Sequence, residues 1–169
     1  MVELSGKMKR SVRRLRGAKG EWYVALQVAL FGLIGLGPAR MDGLPAWPLN
    51  EAWSQVLAAV LLQAGLTLVC MAAWRLGRHL SPLPHPREGA PLIEDGPFRW
   101  MRHPIYTGLV LMALGLGCWR QGWLGICWAL LLLVFFDIKA RREESWLLER
   151  YPAYGAYRSR VRKFIPGMY

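Results

Sequence analysis

A chain of 169 residues has room for one domain, yet 54% hydrophobic content with nine tryptophans excludes an ordinary soluble globule and makes the bilayer the expected solvent. In a soluble protein the net charge of +11 would point to nucleic acid; here the order of apolar and basic segments accounts for it, so no nucleic-acid partner is expected. Cys70, Cys118 and Cys127 fall inside apolar stretches without CxxC spacing and read as packing residues.

The first apolar stretch covers residues 22–37, with Gln27 as its one strongly polar interruption, and the second covers 52–74 and carries Gln55 and Gln63. A helix needs roughly 20 apolar residues to cross the hydrocarbon, and both can do so. The basic start before Trp22 imitates a secretory signal. No small-x-small cleavage site precedes Arg40, however, and further apolar stretches follow, so the segment is expected to remain as a helix of the mature protein. Gly32, Gly35 and Gly37 lie in this apolar helix with no strand before them, a context that suits close helix packing and not a nucleotide. The third stretch, 105–119, and the fourth, 123–137, are short and separated by little more than Arg120, Gln121 and Gly122. That pattern predicts a tight helical hairpin crossing a bilayer that is locally thin or crowded by protein.

Seven basic residues lie between Lys7 and Lys19, five between Arg75 and Arg102, and eight from Lys139 onward, leaving Arg40 and Arg120 for the other two loops. An even number of spans puts the three basic segments on one side, which the positive-inside rule makes cytoplasmic. The expected fold is therefore all-α: a polytopic membrane helical bundle of about four transmembrane helices within a single domain, 1–169, with both termini cytoplasmic. Basic residues 10–16 are expected to hold anionic lipid headgroups. The tail beyond Tyr151 interleaves aromatic and basic residues and is expected to form an interfacial helical segment, a lid or anchor on the membrane surface.

Chemistry concentrates in two places. In 91–108, Gly96-Pro97 marks a turn and Pro104 suits the first position of a helix, where its missing N–H costs nothing. The third helix would then begin at the cytoplasmic boundary, with its free N–H groups and positive dipole end near Arg99, Arg102 and His103. This is an anion site able to take the carboxylate of an amino-acid-like cofactor. An interfacial loop whose Arg and Trp anchor to headgroups fits the spacing equally well. At the end of the fourth stretch stand Asp137, Lys139, Arg141, Arg142, Glu143 and Glu144. Basic residues suit a helix C-terminus and paired carboxylates do not. If the helix ends there, the two Glu need partners; if it runs on through Trp146 and Leu147, they can be solvated positions paired with Arg141 or Arg142. His79, His85 and His103 are scattered without ligand spacing, so no metal is expected.

The run Gly96-Pro97-Phe98-Arg99-Trp100-Met101-Arg102-His103-Pro104-Ile105-Tyr106-Thr107-Gly108, followed by Arg142-Glu143-Glu144 and a Tyr151-Pro152-Ala153-Tyr154 tail, resembles the isoprenylcysteine carboxyl methyltransferase family. The phospholipid N-methyltransferases of the same superfamily share this layout. The resemblance begins near Pro91, makes 90–169 the methyltransferase-like core, and leaves 22–89 as two generic spans and a loop. It implies an S-adenosyl-L-methionine pocket formed by His103, Pro104, Ile105 and Tyr106, with Phe98 where relatives often have Tyr, and with Arg102, Glu143 and Glu144. Residues 90–93, including Leu92 and Ile93, would line it. Glu144 and His103 are the implied catalytic pair, and Lys139 and Arg142 the implied substrate contacts, Lys139 standing where relatives can have Arg. The acceptor would be a prenylated or other lipophilic molecule drawn from among the membrane lipids, meeting the cofactor where the third helix starts and the fourth ends. The same residues admit two other functions: an NADPH-dependent membrane reductase, since sterol reductases have a similar helix arrangement, and a non-catalytic lipid-binding protein whose arginines grip headgroups.

Overall fold

The computed structural model describes residues 21–80 and 91–169. Readings that rest on residues 1–20, and on His85, Arg87 and Ala90, lie outside them. The regular elements among the described residues are helical: α1 (Glu21–Leu36), α2 (Glu51–Leu76), α3 (Pro104–Trp119), α4 (Trp123–Arg150) and α5 (Tyr154–Arg160), with 3-10 turns at Gly77–His79 and Gly96–Arg99.

Helix boundaries follow local chemistry. The Asn50 side chain accepts the Trp53 N–H at 2.9 Å and starts α2, and Gly77, at φ 48°, ends it in a conformation that side chains disfavour. Pro104 opens α3. The charged half of α4 continues the helix to Arg150 because Lys, Arg, Glu, Ala and Leu are strong helix formers and Asp137 clasps Arg141 one turn on at 2.6 Å. The helix stops at Tyr151, held extended by the proline that follows. Of the two readings of the segment after Asp137, the structure takes the continuing helix.

Helices α2, with 26 residues, and α4, with 28, are long and apolar enough to cross a membrane. At about 1.5 Å per residue they reach about 40 Å against a hydrocarbon core of about 30 Å. Helices α1 and α3, with 16 residues each, are shorter apolar helices. Helix α2 exposes Trp53, Val56, Val60 and Trp74, a surface suited to lipid. Its other side meets α3 at glycine: a Cβ on Gly65 would lie 2.5 Å from the Gly108 carbonyl oxygen, and one on Gly108 2.7 Å from that of Gly65. Only backbones fit there.

Residues 120–122 connect α3 to α4, and the last turn of α3 meets the first turn of α4 through Gly117 and Gly125. The Arg120 guanidinium reaches back to the end of α1 and donates to the carbonyls of Gly35, Ile34 and Gly37, which have no intrahelical partner. The hydrophobic core joins Tyr23 and Leu30 of α1, Val110 and Ala113 of α3, and Leu132, Phe135 and Phe136 of α4. Phe164, from the tail, completes it at 2% exposure. The tail thus plants buried side chains in the interior, Tyr154, Tyr157 and Phe164 among them, while most of its other residues stay exposed.

Candidate active site

Helix α4 repeats Phe136, Lys139, Ala140, Glu143 and Glu144 at helical spacing, which puts them on one face against the start of α3. His103 occupies the N-cap of α3 without using its ring as a cap, so the imidazole is free to reach that face. Its Nε2 lies 3.0 Å from Glu144 Oε1 and its Nδ1 3.6 Å from Glu143 Oε2. Both glutamates turn inward. Neither is a solvated position paired with Arg141 or Arg142: Glu144 is 2% exposed, and the Tyr106 hydroxyl donates to Glu143.

Below the imidazole the rings stack. His103 lies parallel to Tyr106 with centroids 5.4 Å apart, and Tyr106 lies parallel to Phe136 at 4.3 Å. The Lys139 ammonium sits 5.2 Å from the Tyr106 centroid and donates to Gln27 Oε1 of α1 at 2.7 Å. A buried ammonium needs such partners, and Lys139 is 1% exposed. Gln27, the polar interruption of the first apolar stretch, gains its meaning here.

Arg102 ties the site to the tail. Its Nε donates to Glu144 Oε1 at 2.9 Å, and its Nη1 to the carbonyls of Arg158, at 3.1 Å, and Val161. Backbone bonds lie alongside: Arg102 N to Arg162 O at 2.8 Å and His103 N to Lys163 O at 3.1 Å. The Thr107 hydroxyl reaches Phe164 O at 3.1 Å, and the Tyr157 hydroxyl reaches Phe98 O at 2.7 Å. The strap beyond α5 therefore fixes the backbone on which Arg102 and His103 stand. Burial pushes the Tyr154 and Tyr157 hydroxyls above the usual phenol range, and nearby Glu144 pushes both the same way. The buried Tyr154 hydroxyl has no hydrogen-bond partner among the described residues.

The remaining sequence candidates are more peripheral. Pro104 is buried and Ile105 half-buried in the first turn of α3; Phe98 is buried and offers its carbonyl to Tyr157; Leu92 and Ile93 are half-buried in the extended segment before the 3-10 turn. Arg142 is exposed, its guanidinium 4.6 Å from the Trp146 ring, on a different side of α4 from Glu144. An open cavity of about 400 Å³ lies between the second half of α4 and the tail; of the cluster, Arg102 and Glu144 form part of its wall.

Residues 53–154 match the family described as phospholipid methyltransferase, which covers α2 through the start of α5. The chain is 27% identical over 150 residues to the cobalt-zinc-cadmium resistance protein CzcN of Cupriavidus metallidurans, an alignment covering 87% of this chain and 62% of that protein. It is 28% identical over 149 residues to the nickel-cobalt-cadmium resistance protein NccN of Alcaligenes xylosoxydans xylosoxydans, covering 87% and 63%. The chain thus spans a little under two thirds of the length of these relatives.

Proposed function

This chain belongs to the phospholipid methyltransferase family, and from that membership we propose that it moves a methyl group from S-adenosylmethionine onto a lipophilic acceptor at the cytoplasmic face of a membrane. The accompanying topology is four spans, the last two a hairpin, with both termini cytoplasmic. The observation that carries the reading is the meeting of His103 with Glu143 and Glu144, residues about forty positions apart that the fold gathers into one buried polar cluster.

The donor set fits the cofactor. Glu143 and Glu144 suit an ammonium and ribose hydroxyls, and the Tyr154 hydroxyl beside Glu144, unpartnered among the described residues, is a polar atom in search of a ligand. Phe98, Pro104, Ile105, Leu92 and Ile93 would supply apolar walls, with Arg102 steadying Glu144. When bound, the cofactor supplies a methyl group on a positively charged sulfur, open to in-line displacement. The two carboxylates balance that charge, and the His103–Glu144 pair can accept a proton from an amine acceptor. A carboxylate acceptor needs no such base. Lys139, set by Gln27, is the charged group on the acceptor side.

Titration of the purified full-length protein with S-adenosylmethionine in a calorimeter tests the first step, and absence of binding heat would remove the proposal. Radiolabelled methyl transfer into total membrane lipids and prenylcysteine analogues, compared side by side, identifies the acceptor class. The names of the relatives add a physiological setting, resistance to cobalt, zinc, cadmium and nickel, in which the methylated product would be a membrane component. A metal-sensitive host protected equally by wild type and Glu144→Gln would argue against that link.

A further inference from the structure

Asp137 ends the apolar part of α4, about two turns before Glu144, and the proposed methyl-transfer cluster makes no use of it. Its carboxylate collects three donors: Lys163 Nζ at 2.6 Å and the Tyr169 hydroxyl at 2.8 Å on Oδ1, and Arg141 Nε at 2.6 Å on Oδ2. Two of the three come from the tail. The Asp137 and Lys163 side chains are only 19% and 10% exposed, so solvent screens this pair weakly. Arg141 is 68% exposed, a surface neighbour whose bond contributes little.

Lys163 faces two ways. While α4 holds its ammonium, its carbonyl accepts the His103 N–H at 3.1 Å; on either side of it, Arg162 O takes the Arg102 N–H at 2.8 Å and Phe164 O takes the Thr107 hydroxyl at 3.1 Å. One residue thus links a carboxylate of α4 to the cap of α3. The Tyr169 main-chain oxygen accepts the N–H groups of Phe164 and Ile165, each at 2.7 Å, which folds 164–169 into a hook and brings the Tyr169 hydroxyl to Asp137. Burial of the Phe164 ring holds the strap against the core, but apolar contact is non-directional and does not choose which carbonyls meet Arg102 and His103. Directed bonds to a side chain on a rigid helix do.

We propose that Asp137 is a positioning residue, which sets the register of the tail strap on α4 and, through Lys163, the place of the Arg102–His103 backbone. Its effect on turnover rests on the methyltransferase reading; its effect on the backbone does not. A strap freed from Asp137 is docked only part of the time, and a cofactor held by His103 and Glu144 favours the docked state and pulls it back. The signature is a raised KM for S-adenosylmethionine with kcat nearly kept. A variant that merely unfolds some of the protein lowers the active fraction, and so the apparent kcat, at unchanged KM.

Amide hydrogen exchange of the full-length protein in detergent, without cofactor, reads the Arg102 and His103 N–H groups directly. In Asp137→Asn and in Lys163→Met these two should exchange at least about tenfold faster than in wild type, while amides in the middle of α2 keep their protection. The double variant should go no faster than the faster single one, because both remove the same link. If Asp137→Asn, which leaves a buried ammonium without its anion, fails to fold, Lys163→Met carries the test alone, since there Asp137 keeps Arg141 and Tyr169. Arg141→Ala should exchange as wild type does. In turnover, Lys163→Met should raise KM for S-adenosylmethionine about tenfold with kcat within about threefold of wild type. Unchanged exchange in Lys163→Met, equal acceleration in Arg141→Ala, or a lowered kcat at constant KM overturns the assignment. Faster exchange in the variants of a wild type that transfers no methyl group leaves the latch standing and removes the methyltransferase reading instead.

Discussion

Glu144 has the most demanding position of any side chain in the site: a nearly fully buried carboxylate touched by Arg102, His103 and Arg158. Replacing it with Gln leaves the Arg102 guanidinium buried without its anion, a loss of about 3–5 kcal/mol that denaturant unfolding would record, together with near-complete loss of methyl transfer. Arg158→Ala separates these effects, since that half-exposed partner contributes under about 1 kcal/mol and its removal should leave the fold intact. Lys139→Met makes the opposite test. Swapping a buried ammonium for an apolar chain of similar size removes its desolvation cost but leaves the Gln27 amide oxygen without its donor, so stability should change by no more than about 1–3 kcal/mol while transfer falls at least roughly tenfold. At this scale the sequence was partly legible. The motif around His103 and the Glu pair named residues that the fold brings together, but Arg102 also bonds to tail carbonyls, and no side-chain pattern announces which carbonyl a guanidinium will find.

Between elements, the α2–α3 contact sets how closely α3 approaches the bundle. Gly108→Leu drives a side chain into the Gly65 backbone and should separate the two helices, shifting His103 with them; loss of S-adenosylhomocysteine stabilisation in a melting assay checks it. The tail strap admits a graded test. Tyr157→Phe forfeits one hydrogen bond to Phe98, about 1 kcal/mol, whereas Phe164→Ala empties part of the core at about 3–5 kcal/mol, and the larger change should be the one that loosens Arg102. The helices themselves were readable because apolar runs bounded by Gly, Pro and Asn leave little freedom in where a helix starts and stops. The extension of α4 past Asp137 was not, because a charged helix suits solvent and a buried polar site alike. Nor was the return of the tail, since the pairing of Met101 with Arg162 is a backbone contact between segments that three helices separate in the chain.

Taken whole, the molecule combines two helices long enough to cross a bilayer with a polar cluster carried beyond the apolar half of one of them, the arrangement that the proposed meeting of a water-borne cofactor with a lipophilic acceptor requires. The family match begins at residue 53, yet Lys139 is held by Gln27, on a helix that the match does not include. Helix α1 is therefore not an interchangeable leader in front of a self-sufficient catalytic unit. Grafting the matched portion behind a foreign anchor would take the Gln27 amide away from a buried ammonium, and a chimera that restores this contact would carry an amide, or an equivalent acceptor, at the height of Gln27.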